Sequence, residues 1–126
     1  MIFNNILLID DDDDDQEIFM TAIQQISSSV KYHYINSARE ALEKLASGEV
    51  KPEVIFLDLN MPLMTGQEFL SYIKKQEKLL QIPIIIFTTS ADPATIRLTK
   101  QLGAYDFITK PSDFNELINL LKPLII

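Results

Sequence analysis

Five side chains carry chemistry by their type and placement: Asp10, Asp11, Asp58, Thr88 and Lys110. Each stands at the end of a short apolar run, Ile6-Leu7-Leu8-Ile9 before the acidic pair, Val54-Ile55-Phe56-Leu57 before Asp58, Ile84-Ile85-Ile86-Phe87 before Thr88 and Phe107-Ile108 shortly before Lys110. Carboxylates that converge on one point repel each other, so three of them together require either protonation or a divalent cation between them. Oxygen ligands of this kind suit magnesium. A lysine and a hydroxyl facing the carboxylates add the point charge and the donor needed to hold the equatorial oxygens of a transferring phosphoryl group. In that arrangement Asp58 is the nucleophile.

For these residues to meet, the apolar runs must lie side by side. The segments between them have helical period: Ile18, Phe19, Ala22, Ile23 and Ile26 in the first, Ala41, Leu42 and Leu45 in the second, Phe69, Leu70 and Ile73 in the third, and Leu117, Ile118, Leu120 and Leu121 in the last. Ser37 with Glu40 and Thr65 with Glu68 have the spacing of capping boxes, Asp92-Pro93 reads as a cap followed by a first-turn proline, and Gly103 suits a helix stop. The central runs are continuously apolar, as strands of a parallel sheet covered on both faces must be, whereas Tyr32-His33-Tyr34-Ile35 mixes polar and apolar residues as an edge strand does. Five strand-helix units predict a doubly wound parallel α/β sheet with helices on both faces. Ligands of such sheets bind outside the carboxyl ends of the strands, where these five residues stand.

Composition narrows the partners. The chain has 126 residues, enough for one domain with a core of its own, and residues 1–126 are expected to form a single domain with no output domain after the last helix. Cysteine is absent, which removes disulfides and thiolate chemistry and fits a reducing compartment; with no basic leader and no apolar window of membrane length, the cytoplasm is the expected location. A formal net charge of −7 disfavours direct nucleic-acid binding, which needs clustered Lys and Arg.

Taken with their neighbours, these residues resemble the receiver domain of two-component response regulators, of the single-domain CheY-like kind. The resemblance rests on Ile6 to Asp11, on Asp58-Leu59-Asn60-Met61-Pro62-Leu63-Met64-Thr65-Gly66, on Phe87-Thr88-Thr89-Ser90 and on Lys110-Pro111, and it spans essentially the whole chain. It implies the flavodoxin-like strand order 2-1-3-4-5 for the five-stranded sheet, and Asp58 as the phosphorylated aspartate. Magnesium, or manganese in its place, would be held by Asp11, Asp58 and the Asn60 backbone carbonyl, with Asp10 acting through water. Lys110 would pair with the carboxylate and then the phosphoryl group, Thr88 would sense a phosphoryl oxygen, and Phe107 would turn inward as the aromatic switch. Many relatives have Tyr where this chain has Phe107, so no hydroxyl is available there for a partner. Asn60 and Ser90 would tune dephosphorylation, and the Lys110-Pro111 bond would be cis. The implied upstream partner is a sensor histidine kinase or histidine phosphotransfer protein, the downstream partner a protein docking on the helix 4, strand 5, helix 5 surface, with a homodimer compatible and neither nucleic acid nor membrane engaged.

Two other readings compete. A magnesium-dependent phosphohydrolase of the haloacid-dehalogenase-like kind would use a strand-one aspartate; Asp12 fits its second aspartate, but Asp14 stands where Thr or Val is needed. A receiver-like scaffold working without phosphorylation usually lacks Asp58, the acidic pair or Lys110, and all are present here. Elsewhere the plain structural reading prevails. Asp13, Asp14 and Asp15 start the first helix as a solvated acidic run, His33 is a surface residue, and Pro123-Leu124-Ile125-Ile126 packs back on the last helix or frays.

Overall fold

The computed structural model describes residues 2–90 and 92–125. Five strands alternate with five helices: β1 (Asn5–Ile9), α1 (Asp13–Ile26), β2 (Lys31–Ile35), α2 (Ala38–Ser47), β3 (Val54–Leu57), α3 (Gly66–Ile73), β4 (Ile84–Thr88), α4 (Pro93–Gln101), β5 (Asp106–Thr109) and α5 (Phe114–Ile125). All pairings are parallel, as the sequence predicts, and the order is β2-β1-β3-β4-β5, as the resemblance implies. The order reverses at β1 and β3, so the crevice beyond their carboxyl ends is the switch point where such sheets bind ligands.

The sheet separates two cores. On one face Ile6, Leu8, Val54, Phe56, Ile85 and Phe87 pack beneath α1 and α5; on the other Leu7, Ile9, Ile55, Leu57, Ile84 and Ile86 pack beneath α2 and α3. This is why the central strands are apolar without alternation: both faces are buried. β2 differs, with Lys31, His33 and Tyr34 exposed and Ile35 buried, so His33 lies on the surface of an edge strand. Under α1 the rings of Phe19, Phe56 and Phe87 meet edge to face at 5.0–6.3 Å between centroids, a favoured arrangement for aromatic quadrupoles.

The helix starts follow the expected chemistry in part. Thr65 and Glu68 form a complete capping box. Ser37 accepts from the Glu40 amide at 3.3 Å as an N-cap, without a reciprocal bond from the glutamate side chain. Asp92 makes no side-chain bond to the helix backbone and instead accepts from the Thr95 hydroxyl at 3.1 Å, a local partner competing for the same oxygen. Gly103 follows α4 at φ 104°, a left-handed position suited to glycine. The apolar end neither packs back on the last helix nor frays but belongs to it: α5 continues through Pro123, Ile125 is buried in the core, and the Leu124 carbonyl accepts from the Phe3 amide at 2.8 Å; Ile126 lies outside the described residues. Truncating Phe56, the fully buried member of the aromatic trio, should leave a cavity costing about 3–5 kcal/mol. Urea unfolding of Phe56→Ala reads this as a lowered midpoint, and an unchanged midpoint would contradict the packing described.

Candidate functional site

Strand register brings the rim residues together. Ile9 pairs with Leu57, Leu57 with Ile86 and Thr88 with Thr109, so Asp10, Asp58, Thr88 and Lys110 all fall at the carboxyl edge. Backbone bonds extend this alignment past the strand ends: the Asp10 amide donates to Ile35, the Asp58 amide to Ile9 and the Lys110 amide to Thr88. The carboxylates of Asp10, Asp11 and Asp58 offer oxygens within 4.8 Å of one another. Asp10 is fully buried, Asp58 nearly so, and Asp11 is exposed at the rim.

Lys110 is the counterion. Its Nζ lies 2.7 Å from Asp10 Oδ2, 2.8 Å from Asp15 Oδ2 and 3.6 Å from Asp58 Oδ2, with the Phe87 ring centroid 5.6 Å away. Burial pushes the Asp10 carboxyl up to about 6, although bonds from the Lys110 ammonium and the Asp12 amide pull the other way. Burial alone would also lower the Lys110 pKa, but the bonds to Asp10 and Asp15 and the charges of Asp10 and Asp58 outweigh it, holding the pKa above its ordinary value. Lys110 is therefore an ammonium, and the buried charge on Asp10 is favoured by any further cation placed beside it.

The three carboxylates form a hard oxygen set that fits a divalent ion such as magnesium. Within it the donors differ. Both Asp10 oxygens already have partners, Oδ1 the Asp12 amide at 3.0 Å and Oδ2 Lys110. Asp58 Oδ1 receives only a long bond from the Asn60 amide at 3.4 Å, and the exposed Asp11 has the freest approach to solvent. The Asn60 side-chain amide lies 3.5 Å from the hydroxyl of the fully buried Thr88. Ser90 is half-buried beyond β4, and Phe107 is half-buried on β5, packed against the α2/α3 core.

The loop after Asp58 is held close by glycine. A Cβ on Gly66 would stand 2.6 Å from the Asp58 carbonyl oxygen and 2.7 Å from Leu59 Cα, and the Gly66 amide donates to the Leu59 carbonyl at 3.1 Å. In the same loop Leu63 has φ 69° with its side chain fully in solvent, a left-handed conformation that costs a leucine about 1–2 kcal/mol. Strain of this sort is characteristic of segments shaped for a site.

Two sequence expectations need correction. The Lys110-Pro111 peptide is trans, since no cis bond occurs among the described residues; trans is the favoured isomer by about 0.5–1 kcal/mol, and Lys110 stands beside Asp10, Asp15 and Asp58 with it. Asp15 is not merely a solvated helix-start residue, for it shares the Lys110 ammonium. The aspartate run in fact divides its labour: Asp10 and Asp11 join the rim cluster, Asp12 caps α1 by accepting from the Asp14 and Asp15 amides, Asp13 and Asp14 face solvent, and Asp15 turns back to Lys110. The available signal was its place at the third helical position, one turn beyond the cap. Gln16 was also missed; buried, it donates to the Asp10 backbone carbonyl and so anchors the β1 end.

An acidic triad, a buried hydroxyl and a lysine thus stand together at the switch point of a doubly wound sheet, where such sheets bind ligands. Residues 6–122 match the model of the response regulator receiver domain, and the chain belongs to that family. It is 36% identical over 100 residues to the two-component response regulator ORR11 of Oryza sativa subsp. indica, covering 77% of this chain and 67% of that protein. It is 38% identical over 91 residues to a protein-glutamate methylesterase/protein-glutamine glutaminase of Methanococcoides burtonii, covering 71% of this chain but only 24% of that longer protein. Among solved structures, the phosphorylated cyanobacterial phytochrome response regulator RcpA superposes with a TM-score of 0.87 at 26% identity, covering 95% of this chain and 89% of that one. The Mn(2+)-bound form of response regulator Rcp1 gives 0.80 at 25% identity, covering 95% and 90%.

Gly66→Ala should force the Asp58 loop outward, costing about 1–3 kcal/mol, and should weaken magnesium binding as measured by calorimetry. A variant with unchanged stability and affinity would contradict the close contact. Asp11→Asn should leave the unfolding midpoint nearly unchanged while lowering magnesium affinity about tenfold or more; equal affinity would remove Asp11 from the ligand set.

Proposed function

We propose that residues 1–126 act as one receiver domain in the cytoplasm that accepts a phosphoryl group on Asp58 from a phosphohistidine, carried by a sensor histidine kinase or a histidine phosphotransfer protein. The observation that carries this reading is the placement of Asp58, nearly buried yet within reach of two other carboxylates and 3.6 Å from the Lys110 ammonium. An Asp58 carboxylate oxygen attacks phosphorus, the bond to the imidazole nitrogen breaks, and the departing imidazole takes a proton. Magnesium, held by Asp11, Asp58 and the Asn60 backbone carbonyl with Asp10 behind a water, would neutralise charge on the phosphoryl oxygens; manganese could replace it. Lys110 pairs with a phosphoryl oxygen and Thr88 donates its hydroxyl to another.

These contacts bias a two-state element, because they exist in only one of its states. Thr88 leaves Asn60 for the phosphoryl group, and Phe107 turns into the vacated space. The surface of α4, β5 and α5 then changes, and its exposed Leu98, Tyr105 and Leu120 suit an apolar protein partner. Asn60 and Ser90 flank the approach of water to the acyl phosphate and set its lifetime. Output is by protein docking or onward phosphotransfer, as the similarity to two-component response regulators supports.

Intact mass after incubation with acetyl phosphate tests the assignment. Wild type should gain one phosphoryl group only with magnesium, and Asp58→Asn, folded normally, should gain none; normal labelling of the mutant would refute it. Lys110→Ala should still bind magnesium but lose the amide chemical-shift changes at β5 that follow phosphorylation, and a full response would break the proposed coupling.

A further inference from the structure

The Lys110 ammonium has three donors. Two are committed, to Asp10 at 2.7 Å and Asp15 at 2.8 Å, and Asp58 at 3.6 Å is beyond good hydrogen-bond distance. Asp10 is fully buried on the end of β1 and has its other oxygen fixed by the Asp12 amide. Asp15 stands differently: it sits on the first turn of α1, its side chain is 36% exposed, and it lies outside the Asp10-Asp11-Asp58 cluster. Nothing in the phosphotransfer reading requires it.

We propose that Asp15 is a positioning residue that acts through Lys110 as an electrostatic brake, favouring the unphosphorylated state of the site. This rests on the phosphoacceptor reading and deepens it. Two effects have the same sign. For Lys110 to pair fully with a phosphoryl group on Asp58, its ammonium must move toward Asp58 and give up part of its contact with Asp15. The Asp15 carboxylate also repels the phosphoryl oxygens arriving on the far side of the lysine. The brake therefore lowers affinity for a phosphoryl group without touching it, and because Asp15 is partly exposed its strength falls with ionic strength. A merely structural role predicts the reverse sign, since loss of a supporting contact would weaken the site.

The test compares wild type with Asp15→Asn, which keeps size and an acceptor but removes charge, Asp15→Glu, which restores the charge, and Asp14→Asn, which removes a charge from the same helical turn where it faces solvent. Beryllofluoride, a phosphoryl mimic, is titrated by NMR at saturating magnesium, and the Lys110 ammonium resonance is recorded in metal-free protein. Asp15→Asn should bind beryllofluoride roughly three- to tenfold more tightly than wild type at low salt, with the gap narrowing at high salt. Asp15→Glu and Asp14→Asn should stay near wild type, and only substitutions at position 15 should shift the Lys110 resonance. Equal or weaker binding by Asp15→Asn, with wild type binding normally, overturns the brake and leaves the phosphoacceptor reading standing. Absence of binding by wild type overturns both, and an unmoved Lys110 resonance in Asp15→Asn overturns the brake on its own.

Discussion

The structure turns on the gathering of like charges at the edge of an apolar sheet. Asp10 and Asp58 are delivered there by strands buried on both faces, so they cannot retreat into solvent as surface carboxylates do. Their convergence is tolerable because Lys110 enters from the end of β5 and stays charged, paired to Asp10 and Asp15 and near Asp58. Removing one partner from such a group would leave an unpaired buried charge, whose cost is large. The site is thus a balance of charges in which one lysine serves Asp10, Asp15 and Asp58.

Packing gives that balance a fixed geometry. The aromatic trio beneath α1 supplies a rigid apolar floor, with Phe87 in contact range of the Lys110 ammonium. Gln16 ties the Asp10 backbone to α1, and Gly66 lets the β3–α3 loop close against Asp58. By contrast α4 buries only Thr99 among its residues, and β5 is an edge strand with exposed or half-buried side chains. The densely packed side of the molecule holds the carboxylates, while α4 and β5 are lightly packed.

Much of this was legible in the sequence because both faces of the central strands are covered. Continuous apolar runs such as Val54–Leu57 and Ile84–Phe87 can be buried parallel strands, and their ends then name Asp58 and Thr88 directly. What local pattern could not give was pairing across the fold. Asp13, Asp14 and Asp15 read alike as a solvated helix start, and it is the arrival of Lys110, 95 residues on, that sets Asp15 apart. Gln16 was hidden for the same reason, since a polar residue in a first helical turn reads as solvated until the β1 carbonyl it serves is in view. The cis bond at Lys110-Pro111 was implied by resemblance rather than by any local signal, and the bond is trans, the isomer an X-Pro dipeptide favours by itself.

In the proposed reading, metal and phosphoryl group share one charge balance at this rim. Its most direct test is calorimetric titration of magnesium into the unmodified protein, without and with beryllofluoride. Reciprocal coupling requires magnesium to bind at one site and to bind more tightly when the phosphoryl mimic is present. An affinity unchanged by beryllofluoride, or no saturable magnesium binding at all, would contradict the account.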